Sequence, residues 1–126
     1  MRRLIVPLAC LLVLGAPASA APGDMSVATF LAKAEKLKAK GLTAMFSSDL
    51  KVVKREAEGA GDHYRARIAA DRKAGRTPHS CPPPKGKASI NADTMLAHLR
   101  SYPASRRGSV TMKTAFADLM KKEYPC

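Results

Sequence analysis

The sequence predicts an all-α protein, a small helical domain of four to five helices stapled by one disulfide. Three observations lead there. Beyond residue 20 there are only four Val and two Ile, while Ala, Leu, Lys and Met dominate. No stretch alternates apolar and polar residues for long enough to make a strand. Two cysteines, Cys81 and Cys126, remain for a chain that carries an export signal at its start.

That signal is the first element. Arg2 and Arg3 are followed by a short apolar run, Leu4 to Ala16, and then by the small residues Ala18-Ser19-Ala20. The run is too short to span a bilayer, so residues 1–20 read as a cleaved secretory signal. Cys10 lies inside the run, with Leu11 to Leu14 still to come, and is not placed for lipid attachment. Removing 20 of the 126 residues leaves 106, numbered 21–126, which is room for one domain.

The first helix is expected from about Ser26 to Lys40, with Ser26 as its cap and Gly41 as its stop. Val27, Phe30, Leu31, Ala34 and Leu37 follow one face at spacings of three and four. Leu42 to Phe46 then forms a short apolar link that should insert Met45 and Phe46 into the core. Ser47-Ser48-Asp49 marks a second helix start, and Leu50, Val53, Ala57, Tyr64 and Ile68 share a face as far as about Ala74. Gly59 and Gly61 each cost roughly 1 kcal/mol relative to Ala there, so they mark a close crossing or a break. A single helix, bent at that point, is the reading adopted.

Gly75 to Ser89 cannot be helical, because it holds Pro78, the run Pro82-Pro83-Pro84 and Gly86. Asn91 should cap the next helix, with Ile90 and Met95 as a staple across the cap. Met95, Leu96 and Leu99 face inward, and Pro103 ends the helix at Tyr102. After a bend through Gly108, Ser109 is expected to cap a last helix that buries Met112, Ala115, Phe116, Leu119 and Met120.

Cys81 and Cys126 should form that disulfide, because an even pair in an exported chain meets an oxidising compartment. They are too far apart in sequence for a redox Cys-x-x-Cys pair. His79 stands two residues from Cys81, but no second ligand pair follows, so no metal site is drawn.

Charge narrows the partner class. Taking Arg2 and Arg3 from 22 basic side chains leaves 20 against 10 acidic ones, a net charge of +10. Nucleic acid would suit that charge, but export removes the protein from it. No apolar run beyond the signal is long enough for an integral membrane protein. Acidic proteins, anionic lipid head groups and cell-wall polymers remain. Arg100, Arg106 and Arg107 form the densest arginine group outside the long helix, and arginine suits planar carboxylates and phosphates. They are the candidate binding residues, against the plainer reading that one of them ties down the Pro103 bend. Glu35 is expected to pair with Lys38 along its helix. His63, His79 and His98 are scattered, and no residue is singled out as catalytic. No cofactor is implied.

The ending of the chain carries a resemblance. Cys81-Pro82 is followed by a helix with Met95 and Leu99, then by Tyr102-Pro103-Ala104-Ser105-Arg106. A helix with Phe116 and the tail Tyr124-Pro125-Cys126 complete it. This arrangement resembles the Rap/Tai family of periplasmic immunity proteins over about the last 46 residues. The resemblance implies a small, exported helical protein that binds and inhibits peptidoglycan amidase effectors delivered by type VI secretion. Members of that family commonly carry a further cysteine pair in the N-terminal half, which residues 21–80 here lack. The alternative is a basic envelope protein that binds anionic lipid or cell-wall polymers without an enzyme target. Either places the protein in the periplasm, or outside the cell.

Overall fold

The first N–H groups of a helix have no partner within it, and the way this chain supplies partners explains its architecture. The computed structural model describes residues 20–126, so the signal reading falls outside the described residues except for Ala20. Four α-helices follow: α1 (Val27–Lys40), α2 (Ser48–Lys73), α3 (Ala92–Ser101) and α4 (Met112–Glu123), with the 3-10 turn Gly41–Phe46 joining the first two. The protein is all-α, with no strand among the described residues.

Each helix begins on a side-chain cap. Ser26 accepts the Thr29 N–H, Ser47 that of Asp49, Asn91 that of Thr94 and Thr111 that of Thr114. The starts of α1 and α4 also satisfy each other. Val27 N–H donates to the Val110 carbonyl at 2.8 Å and Ala28 N–H to that of Arg107 at 3.0 Å. In return Met112 N–H donates to the Met25 carbonyl and Lys113 N–H to that of Gly23, each at 2.9 Å. The two entry segments therefore lie side by side and meet in an isolated Ser26–Thr111 bridge. This pairing corrects the expected cap of the last helix. Ser109 instead closes the bend, its hydroxyl donating to the Arg106 carbonyl at 3.0 Å.

Two clusters of buried side chains hold the helices together. The first gathers Val27, Phe30 and Leu31 of α1, Ala60 of α2, Leu99 of α3, and Val110, Met112 and Ala115 at the start of α4. The second joins Tyr64 and Ile68 of α2 to Ala117 and Met120 of α4. Phe116 packs against both. Ile90, before the Asn91 cap, packs on the second cluster, and Met95 of α3 on the first.

Helix α2 runs unbroken through Gly59 and Gly61. What crosses it at Gly59 is not a helix but the turn before α1, closed by the Asp24 N–H donating to the Ala21 carbonyl at 3.0 Å. A Cβ on Gly59 would collide with Pro22, so only glycine lets the segment lie so close. The inward face also contains a residue the apolar pattern omits. Glu56 is buried, and its Oε2 accepts N–H groups from Gly23 at 2.7 Å and Met25 at 3.2 Å.

The 3-10 turn overturns a second expectation. Met45 and Phe46 do not enter the core; Leu42 is 88% exposed and Phe46 93% exposed. The turn closes on itself locally, with Thr43 Oγ1 donating to the Lys40 carbonyl at 2.7 Å and Lys40 Nζ to Ser47 Oγ at 3.1 Å. The connection is too short to reach back over α1 and α2, so its apolar side chains face water.

Candidate functional site

Cys81 and Cys126 are disulfide-bonded, with their Cα atoms 4.8 Å apart. The bond fixes the proline loop to the end of α4. Cys81 N–H donates to the Tyr124 carbonyl at 2.9 Å, and Ser89 N–H to the Tyr124 hydroxyl at 2.9 Å. On the inner side of the loop, Ser80 is buried and hydrogen-bonds the hydroxyl of Tyr64. Tyr64 in turn meets Phe116 edge to face, ring centroids 5.6 Å apart. Pro82–Pro84 are thereby held up as a wall.

Facing that wall, the helices leave an apolar groove of about 720 Å³. Its length follows α2, where Val53, Ala57, Gly61, Tyr64 and Ile68 recur at spacings of three and four. Phe30 of α1 and Phe116 of α4 line the floor, and Met95 and Leu96 of α3 extend the far wall. Small residues at positions 57 and 61 keep it open. The lip carries Lys54, Arg65, Arg72 and Lys85 against a single carboxylate, Glu58. Among these, Arg65 has an exposed contact with Asp62 at 3.6 Å; the other three cations make no ion pair among the described residues.

The predicted arginine group lies elsewhere, at the α3–α4 bend. Arg107 donates to two backbone carbonyls, from Nε to Tyr102 at 2.9 Å and from its terminal nitrogen to Arg100 at 2.7 Å. It ties down the Pro103 bend. Arg100 pairs across to Glu35 on α1, which corrects the expected Glu35–Lys38 pair and holds the Glu35 carboxyl below its ordinary range. Arg106 is exposed. The structure therefore brings Arg100 and Arg107 together through the backbone and leaves Arg106 facing solvent.

The three histidines do not converge. His63 and His79 border a small cleft of about 120 Å³ with Asp118 and Lys113. Burial pushes the His79 imidazole pKa down, with Arg67 adding to the effect, and its Nδ1 has no hydrogen-bond partner among the described residues. His98 stacks edge to face on Tyr102 with centroids 5.3 Å apart, and burial lowers its pKa too. Tyr102 donates to Asp118 at 2.6 Å; burial first, and that carboxylate second, raise its pKa. Among the described residues no group of three or more His, Cys, Asp or Glu side chains is placed to hold a metal ion. No described helix is long and apolar enough to cross a membrane.

No family model, curated protein or solved structure matches this chain. The site is therefore defined by its own geometry. Sequence reasoning passed over the groove because its walls come from four helices and a loop. The visible traces were the small-residue spacing Ala57/Gly61 and the three consecutive prolines.

Proposed function

We propose that the chain is an exported helical binding protein of the immunity type, which blocks a periplasmic peptidoglycan amidase by occupying its surface. The observation that carries this reading is the exposed apolar cluster of the 3-10 turn, Leu42, Met45 and Phe46. Large apolar side chains grouped in solvent mark a contact surface, and aromatic anchors dominate binding energy at such surfaces. The turn is held by the Thr43 hydroxyl on the Lys40 carbonyl and by Lys40 Nζ on Ser47, so less ordering entropy is lost on docking. The C-terminal Tyr-Pro-Cys arrangement supports the choice of partner class through its resemblance to Rap/Tai proteins.

A second reading is favoured by Lys38, Lys40 and Lys51, which flank the same turn in sequence. Apolar side chains within a basic collar suit an anionic lipid surface or cell-wall polymer. One experiment separates the two. The protein is immobilised and exposed to periplasmic extract at low and high salt, and the captured fraction is assayed on peptidoglycan. A stoichiometric amidase, retained at high salt and inhibited by added protein, supports immunity, and Phe46→Asp abolishes the capture. Capture of vesicles or wall fragments alone, lost as salt rises, supports the envelope reading and overturns the first.

A further inference from the structure

The groove beside α2 is not needed by either reading, and its chemistry specifies an occupant of its own. Its volume, about 720 Å³, falls within the range of small-molecule sites, and like them it is mostly apolar with few polar groups. The site is long: Val53 to Arg72 spans roughly 28 Å of helix. Its wall of Pro82–Pro84 has no backbone N–H, so a peptide strand laid there finds no donors to pair with. Hydrocarbon loses nothing by this.

The two ends differ in charge. At one end the groove is bounded by Phe30, Ala34, Val53 and Met95, and the lone cation Lys54 is offset by Glu58 one turn away. Arg65 stands between the two ends, its guanidinium over Gly61 and in exposed contact with Asp62, while at the other end Arg72 on the α2 lip and Lys85 on the loop lip have no carboxylate among the lining residues beside them. The linings of the two ends match a molecule with an apolar tail and an anionic head. The wall is also fixed in place before any ligand arrives, by the disulfide, by the Tyr64–Ser80 bond and by the Lys87 N–H to the Pro84 carbonyl at 3.0 Å.

We propose that this groove binds a single-chain anionic amphiphile, a long-chain acyl carboxylate. The tail lies along Ile68, Tyr64 and Ala57 toward Phe30, and the carboxylate pairs with Arg72 and Lys85. Guanidinium groups suit a planar carboxylate because they donate two parallel N–H bonds to it. The site acts as a holder of acyl anions, separate from the exposed 3-10 turn.

The test uses the purified protein with the disulfide intact, stripped of lipid, titrated with a fluorescent polyene fatty acid below its micellar concentration. One saturable site per chain is expected, with the probe displaced by oleate and at least tenfold more weakly by oleyl alcohol. Ala69 is exposed on the groove lip, so Ala69→Trp should fill the groove, lowering affinity at least tenfold while the circular dichroism spectrum is kept. Independently, Arg72→Gln combined with Lys85→Gln should weaken oleate about tenfold and leave oleyl alcohol unchanged. The proposal is overturned by equal binding of acid and alcohol, by several probes per chain, or by affinities that neither set of substitutions alters. Saturable binding of an acidic amphipathic helical peptide, with oleate unable to compete, overturns it as well.

Discussion

Glu56 Oε2 accepts the Gly23 N–H at 2.7 Å, across 33 residues of chain, and so fastens the segment before α1 onto the middle of α2. The same oxygen takes the Met25 N–H, and the carbonyls of Gly23 and Met25 receive the first N–H groups of α4. One buried carboxylate thus stands behind the alignment of three elements.

Glu56→Ala leaves two largely buried N–H groups without an acceptor, at a cost of about 1–3 kcal/mol each if water does not replace it. Urea denaturation should show a loss of about 2–4 kcal/mol, with Glu56→Gln intermediate. Glu58→Ala, at an exposed position two residues further on, should stay within about 0.5 kcal/mol of the parent. Equal effects at the two positions would show that the Gly23 and Met25 bonds contribute little.

The two glycines of α2 should respond in opposite directions to alanine. At Gly61 an added Cβ meets only ordinary contacts, the nearest being Arg65 at 3.5 Å. Gly61→Ala should therefore gain about 0.5–1 kcal/mol from helix propensity. At Gly59 the new Cβ would press on Pro22, so Gly59→Ala should lose stability despite the same gain in propensity. Thermal melting of both variants decides it, and a stabilised Gly59→Ala protein would contradict the crossing.

Breaking the disulfide releases a closed loop of some 46 residues, counted from a sequence separation of 45. Loop-closure entropy gives about 4 kcal/mol for that length, a large share of the stability of a small domain. Melting with and without reductant should show a drop, reproduced by Cys81→Ser with Cys126→Ser. An unchanged midpoint would mean that α4 and the proline loop stay docked through Tyr124 alone.

Stability should fall in two stages as pH is lowered. His79 and His98 have pKa values pushed below the ordinary value of about 6.5, so the unfolded chain takes up their protons first. Their contribution is complete above that value and is lost as the pH drops through the window beneath it. Asp24, Glu35 and Asp49 are shifted downward by hydrogen bonds from Lys113, Arg100 and Lys33 respectively. Their support persists above the ordinary carboxylate range near about 4 and disappears below it. Urea midpoints measured from pH 8 to pH 3 should show both stages. His79→Gln with His98→Gln should flatten the upper one, and a midpoint that climbs between pH 6.5 and 5 would refute the assignment.

The helix starts at Ser26, Ser47 and Asn91 were legible because each signal is local: an oxygen two or three residues ahead of the N–H it accepts. Ser109 misled for the same reason. It looks like a cap, but the competing Thr111 is chosen by a strand-like pairing with Ser26, which is distant in sequence. Glu35 has Lys38 within helical reach on its own helix, whereas its partner Arg100 arrives from α3. Phe46 is apolar and so reads as a core residue, although a six-residue 3-10 turn has no room to fold back. The arginines of the bend stood out through their density, yet Arg107 is occupied by the backbone carbonyls of Tyr102 and Arg100. The groove was the least visible feature of all. Apolar periodicity marks what faces inward, but it does not say which inward-facing residues end up too small to meet one another.

The anchoring of both ends of the described body has a practical side. Gly23 is seated under Glu56, and Cys126 is locked to Cys81. A reporter fused close to either end would pull against those fastenings. Gly75, in the exposed turn after α2, has a left-handed backbone and open space around its Cα. An epitope inserted beside it would sit away from the core clusters and give experimenters a handle on the intact molecule.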